Sequence, residues 1–153
     1  MLLTIHPLLE QNILRLILMG TGPFAVPTFE SLRGSDHPII AVVTKPEPPV
    51  KSRKGPPPAP VRTWAQQNGL PIFEPLRIND SDAVQQLCQS SPDLLVVCDY
   101  GQILKPDALA SARFGGINLH GSLLPAYRGA APVQRSLLSG DSETGVTVIH
   151  MTP

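Results

Sequence analysis

An excess of charge of either sign is missing from this sequence: 12 Lys and Arg stand against 12 Asp and Glu, and the formal net charge is zero. Such a chain is not drawn as a whole to nucleic acid or to an anionic bilayer, so a polyanionic partner would have to be held by a local patch. Cysteine is scarce. Cys88 and Cys98 are the only two, without a CxxC spacing or a neighbouring His, which excludes a disulfide scaffold and gives no metal site. Both are expected as reduced, buried thiols. Long hydrophobic runs are lacking too: the opening MLLTIHPLLEQN has no basic start, no long apolar centre and no small-residue cleavage site. That argues against a signal peptide or a membrane span, and the cytoplasm is the expected location. What the sequence does have is 42% apolar residues over 153 positions, enough for one domain with a real core.

Residues 1–13 carry no motif and are set apart as a leader, either a short extension or a mis-chosen start. From there strand and helix signals alternate. Ile13 to Met19 suits the first strand of a buried parallel sheet, although Arg15 interrupts it. Gly20-Thr21-Gly22-Pro23-Phe24-Ala25 follows and opens onto a helix through Arg33, matching the G-x-G-x-x-A dinucleotide fingerprint in the correct strand-to-helix context. Two features oppose that reading. The next strand, Ile39 to Thr44, leads into Lys45 where a ribose-binding acid belongs, and Pro23 removes an N–H from the phosphate cradle. A glycine-rich turn serving close strand–helix packing is the preferred reading.

Seven of the 18 prolines fall between Lys45 and Pro60, together with Lys51, Arg53 and Lys54 and a single acid, Glu47. This segment cannot be a regular element. Its cationic tip suits phosphate contacts, and a solvated surface loop is the alternative. Further along, the sequence predicts a helix over 61–68 with Trp64 and Ala65 buried, a strand over 71–73, and a helix from Asn79 or Asp80 through Gln89. The inner face of that helix would be Ala83, Val84, Leu87 and Cys88. A central strand over 94–98, a helix over 105–112, a strand ending at His120, a helix over 131–138 and a last strand over 145–151 complete the pattern. Alternation with short links argues for an α/β protein with a doubly wound, mainly parallel, Rossmann-like sheet.

The stretch Gly116 to Gly129 carries the chemistry. Strand side chains alternate faces, so Asn118 and His120 project from the same side, at the carboxyl end where open α/β sheets bind ligands. An amide supplies fixed donors, and imidazole is the side chain best suited to moving protons near neutral pH. Together they suit transfer of a one-carbon acyl group. The tetrahedral oxygen would be stabilised by pre-placed donors while His120 carries the proton of the attacking amine. A His satisfied by a backbone carbonyl is the structural alternative.

The run Ile117-Asn118-Leu119-His120-Gly121-Ser122-Leu123-Leu124-Pro125 continues through Tyr127-Arg128-Gly129-Ala130-Ala131-Pro132 to Gly140-Asp141 and Glu143-Thr144-Gly145. It closely resembles the methionyl-tRNA formyltransferases, and the likeness reaches back to about residue 14. The resemblance implies the formyltransferase N-terminal domain fold over 14–153. It also implies transfer of formyl from 10-formyltetrahydrofolate, the folate co-substrate, to the amino group of methionyl initiator tRNA, without a metal. Asn118 and His120 would be two of three catalytic residues. Ser122, Leu123, Leu124 and Pro125 would form the folate-contacting turn, and Tyr100, Gly101, Gln102, Ile103 and Leu104 the wall for the pterin ring. Lys51, Arg53 and Lys54 would meet the acceptor stem of the tRNA.

The full-length protein would be a monomer with no membrane attachment. The family's third catalytic residue, an Asp, and its C-terminal barrel domain would lie beyond Pro153, so the chain is expected to be truncated and weakly active alone, with an exposed sheet edge. Other departures are Pro48 and Pro49 in place of a family arginine, and Asp99 in place of a small apolar residue. A folate-dependent formyltransferase acting on a small amine, or a non-catalytic fragment, are the alternatives.

Overall fold

The computed structural model describes residues 13–47 and 59–152. Four consecutive buried residues make the first strand, β1 (Leu16–Met19), and its right-hand and left-hand neighbours in the sheet are both parallel to it. Along the chain come a 3₁₀ turn (Pro23–Ala25), α1 (Val26–Arg33), β2 (Ile39–Val43), α2 (Pro60–Gln67), β3 (Ile72–Phe73) and α3 (Ser81–Ser90). The second half holds β4 (Leu94–Val97), α4 (Pro106–Leu109), β5 (Gly116–His120), α5 (Pro132–Leu138) and β6 (Thr147–Met151). The six strands lie in the order β3-β2-β1-β4-β5-β6. The chain therefore winds outward from β1 to β3 and then crosses back to β4, which creates a switch point between the ends of β1 and β4.

Both faces of the central strands are covered, which is why they read as unbroken apolar runs. Ile17, Met19, Leu95 and Val97 point to the side packed by Leu87 of α3 and Ala108 and Leu109 of α4. Leu16, Leu18, Val96 and Cys98 point to the other side, against Phe29 of α1 and Val61, Trp64 and Ala65 of α2. The Phe29 and Trp64 rings meet at 5.9 Å. Arg15, the charge inside the first apolar run, lies just outside the strand. Its guanidinium donates to the Ser90 and Ser91 carbonyls, satisfying the end of α3 where Ser91 turns left-handed at φ 48°.

The predicted fold class, a mainly parallel doubly wound sheet, holds, with two corrections to its details. Cys88 is exposed, not buried. The buried residues of α3 are Ala83 and Leu87, and Cys88 sits about 100° of helix rotation beyond Leu87, past the edge of that face. The helix predicted over 105–112 stops at Leu109 because the next turn tightens to i−3 bonds, Ser111 to Ala108 and Ala112 to Leu109. The Ser111 hydroxyl also takes the Ala108 carbonyl at 2.7 Å. Within this mainly parallel sheet one strand runs the other way: β6 pairs antiparallel with β5. α5 buries only Ser136 and leaves Leu137 and Leu138 68% and 88% exposed, so it is no crossover helix lying on the sheet. β6 is the outer strand, and Val148 on it is 58% exposed.

The turn after β1 shows what its first glycine is for. A Cβ on Gly20 would stand 2.6 Å from the Cys98 carbonyl oxygen and 3.0 Å from both Ala25 Cβ and Phe29 Cε2. Close packing of strand, turn and helix is thus the reason for the glycine, as the sequence reading preferred. Gly20→Ala is expected to destabilise the fold by about 1–3 kcal/mol, read by urea unfolding, because one of the obstructing atoms is backbone.

On the outside of the same layer, Trp64 Nε1 donates to Glu30 Oε2 at 2.8 Å while Arg33 pairs with the same carboxylate. Arg33 first and Trp64 second hold the Glu30 carboxyl down from its ordinary 4.5 to about 2. A folded value below the unfolded one stabilises above about pH 4.5, and that contribution is lost as pH falls toward 2. Glu30→Gln should therefore flatten the pH dependence of the urea midpoint between pH 4.5 and 2 and leave its slope above pH 5 unchanged.

Candidate active site

β5 runs between a parallel neighbour and an antiparallel one. Asn118 stands opposite Val97 on β4 and Ile149 on β6, and His120 opposite Thr147. Val97 belongs to the core face packed by α3 and α4, so Asn118 and His120 project from that face at the carboxyl rim, both half-buried. The expected pair is brought together by strand alternation alone.

The turn that follows is built from short hydrogen bonds. The Ser122 amide donates to the His120 carbonyl at 2.9 Å, and the fully buried Ser122 hydroxyl donates to the Ala126 carbonyl at 2.7 Å. Thr147 ties this turn to β6. Its Oγ1 donates to the Ser122 carbonyl at 2.8 Å and accepts the Leu124 amide at 3.1 Å. Ser122 is thereby used inside the protein, Leu124 is half-buried, and Leu123 and Pro125 are the exposed side chains of the turn.

The loop comes back under the imidazole: His120 Nε2 lies 2.9 Å from the Tyr127 carbonyl oxygen. A carbonyl only accepts, so Nε2 carries the proton and the neutral ring keeps its lone pair on Nδ1. The bland expectation of a carbonyl-satisfied His and the functional one are here compatible, because one nitrogen is anchored and the other is left as the proton acceptor. Asn118 shows no side-chain hydrogen bond among the described residues.

The second loop leaves β4 on the same rim. Asp99 and Gly101 are left-handed, at φ 52° and 72°, and the Asp99 carbonyl accepts both the Thr21 amide at 3.0 Å and the Thr21 hydroxyl at 2.6 Å. The Asp99 carboxylate lies on Gly22, where a Cβ would come within 1.9 Å of Oδ2, and Lys45 Nζ lies 2.7 Å from where a Cβ on Gly101 would be. The ends of β1, β2 and β4 converge on this cluster, which gives Asp99 a physical account: it closes the switch point against a side-chain-free turn.

Partial burial pushes the Asp99 carboxyl up, with the Lys45 charge pulling the other way. Burial, with Asp99 adding to it, pushes the Cys98 thiol up to about 11, so it stays protonated and inert. Tyr100 and Leu104 are buried in the core. The Tyr100 hydroxyl has no hydrogen-bond partner among the described residues, and burial pushes it up to about 12. Gln102 is spent on the 76–78 segment, accepting the Ile78 amide and donating to the Leu76 carbonyl. The surface this loop offers is therefore Asp99, Gly101 and the 85% exposed Ile103.

Lys51, Arg53 and Lys54 lie outside the described residues. The stems of their segment are described, and Arg62 holds one of them. It donates to the Lys45 carbonyl at 2.9 Å, pairs with Glu47 at 3.4 Å and pairs with Glu74 at 2.5 Å. Arg62, Thr147 and Tyr127 are the site residues that local sequence reading did not assign a role. Their partners lie 7 to 25 residues away, and no spacing signal marks them. A separate open groove of about 490 Å³ lies between Pro23, Pro27, Pro60 and Trp64, and its lining has no titratable side chain. Among the described residues no group of three or more His, Cys, Asp or Glu could hold a metal ion, and no helix is long and apolar enough to cross a membrane.

The structure thus places a half-buried amide and an imidazole anchored through Nε2 at the carboxyl end of a doubly wound sheet. Comparison with known proteins gives the class. Residues 12–152 match the formyl transferase family, and the chain belongs to that family. It is 67% identical over 144 residues to a methionyl-tRNA formyltransferase of Rhodopirellula baltica, covering 92% of this chain and 43% of the relative. It is 44% identical over 140 residues to the methionyl-tRNA formyltransferase of Methylococcus capsulatus, covering 92% and 46%. The chain spans less than half the length of these curated relatives.

The fold is shared with the glycinamide ribonucleotide transformylase 1 of Geobacillus kaustophilus, with a TM-score of 0.70 at 22% identity, covering 92% of this chain and 76% of that one. It is shared also with a formyltetrahydrofolate deformylase from Pseudomonas syringae, with a TM-score of 0.65 at 21% identity, covering 93% and 47%.

Thr147→Val keeps the volume of the side chain and removes both bonds to the turn. The expected cost is about 1–3 kcal/mol, since the Ser122 carbonyl and Leu124 amide lose their partner. Urea unfolding reads the loss, and faster hydrogen exchange at the Leu124 amide locates it.

Proposed function

We propose that this chain is the folate-binding part, over residues 14–153, of an enzyme that moves formyl from 10-formyltetrahydrofolate to the amino group of methionyl initiator tRNA. The observation that carries the reading is the common face shared by Asn118 and His120, anchored through Nε2 and open at Nδ1, in a chain 67% identical to a methionyl-tRNA formyltransferase.

In this mechanism the acceptor amine attacks the formyl carbon, and the carbonyl oxygen becomes an oxyanion. Asn118 donates to that oxygen from a fixed strand position, so no reorganisation is needed as charge develops. His120 takes the proton from the attacking nitrogen on Nδ1 and returns it to N10 of the folate as the bond from the formyl carbon to N10 breaks, so that the tetrahedral species collapses to formylated amine and neutral tetrahydrofolate. The exposed Leu123 and Pro125 on one side and Gly101 and Ile103 on the other form the surfaces that the folate meets, within the segments Ser122 to Pro125 and Tyr100 to Leu104. Lys51, Arg53 and Lys54 supply the local positive charge that a neutral chain needs to hold an acceptor stem, and Arg62 ties down the stem from which they extend. The protein works as a cytoplasmic monomer, requiring folate and tRNA and no metal.

Single-turnover formylation of methionyl initiator tRNA by the full-length protein that contains this chain tests this. His120→Ala and Asn118→Ala are each expected to lower the rate by about 10²–10⁴-fold, and an undiminished rate in either overturns the reading. In filter binding with the full-length protein, changing Lys51, Arg53 and Lys54 to Ala should weaken tRNA affinity and reduce its salt dependence. Unchanged affinity would point to a small amine as acceptor.

A further inference from the structure

Tyr127 adopts a left-handed backbone at φ 53°, which residues other than glycine avoid, so surrounding contacts must hold it there. The contact present is its phenol, whose hydroxyl donates to Asp141 Oδ2 at 2.7 Å. Asp141 is in turn fixed to the end of α5: its amide donates to the Ser136 carbonyl at 3.2 Å. Ser136, 1% exposed, donates from Oγ to the Val133 carbonyl at 2.9 Å. The other end of Tyr127 is the carbonyl that receives Nε2–H of His120. A continuous hydrogen-bonded path thus leads from α5, through a carboxylate and an aromatic ring, to the nitrogen opposite the proposed base.

We propose that Tyr127 and Asp141 are positioning residues that hold His120 as the Nε2–H tautomer, with its lone pair on Nδ1. The carboxylate fixes the ring, the ring fixes a strained peptide, and the peptide oxygen fixes the imidazole. A main-chain acceptor suits this task because it cannot itself ionise or donate, so the proton has one place to sit. Its value to the reaction rests on the reading of His120 as the group that accepts a proton, but the restraint itself belongs to the protein alone.

Imidazole-tuned ¹H–¹⁵N spectra of the labelled protein test the proposal without folate or tRNA, so the outcome stands apart from any formylation assay. The His120 signals are assigned by their loss in His120→Gln. The parent is expected to show the ring proton on Nε2. In Tyr127→Phe, which removes one oxygen atom, and in Asp141→Ala, exchange of that proton with water should quicken by about five- to tenfold, the equivalent of one lost hydrogen bond. Asp141→Asn, whose amide oxygen still accepts the phenol, should retain the parental rate. Unchanged amide signals of Leu119 and Thr147 show that β5 and β6 keep their register in each variant. A proton on Nδ1 in the parent, or an exchange rate unaltered in both Tyr127→Phe and Asp141→Ala, overturns the proposal.

Discussion

The site depends on one strand being held from both sides. β5 pairs parallel with β4 and antiparallel with β6, and every later feature inherits its position from that register. Pairing with β4 puts Asn118 opposite Val97 and so on the face where α3 and α4 already exclude water. Pairing with β6 puts Thr147 opposite His120, where its hydroxyl reaches two backbone groups of the turn. Because the side-chain period of a strand is two, a slip by one residue would turn the amide and the imidazole toward α1 and α2 and bring Leu119 to the rim.

The rim itself is shaped by the change of winding direction between β1 and β4. Three strand ends meet there, and the chain admits them by leaving side chains out. Gly22 receives the Asp99 carboxylate, and Gly101 lies under Lys45. The same geometry that binds a pyrophosphate in dinucleotide enzymes is here occupied from within by an acid. The turn at the end of β1 is a packing device, and Asn118 and His120 stand two strands away, on β5. A G-x-G-x-x-A spacing in the right context thus reports a close backbone approach, and its purpose is set by what approaches.

Recognition and chemistry are also divided by burial. The loop over 99–104 sends Tyr100 and Leu104 into the core and uses Gln102 to brace the 76–78 segment, leaving Asp99, Gly101 and Ile103 exposed. The turn over 122–125 divides in the same way, with Ser122 inside and Leu123 and Pro125 outside. Motif residues in such loops thus do two jobs. Some brace the loop through buried or hydrogen-bonded side chains and others present their side chains at the surface.

Local signals were enough to read the succession of strands and helices, the core strand over 94–97 and the pairing of Asn118 with His120. Each depends on periodicity or on Gly and Pro punctuation within a few residues. The exposure of Cys88 was not readable, because the width of the buried stripe on α3 is set by the elements packed against it. Nor was the direction of β6, which follows from α5 failing to lie on the sheet. The sequence by itself determined that an amide and an imidazole share one face of a strand end, since alternation is a covalent property of extended backbone. Only the tertiary structure decided which ring nitrogen is free, because that rests on a carbonyl seven residues away, carried back under the imidazole by a turn pinned to another strand.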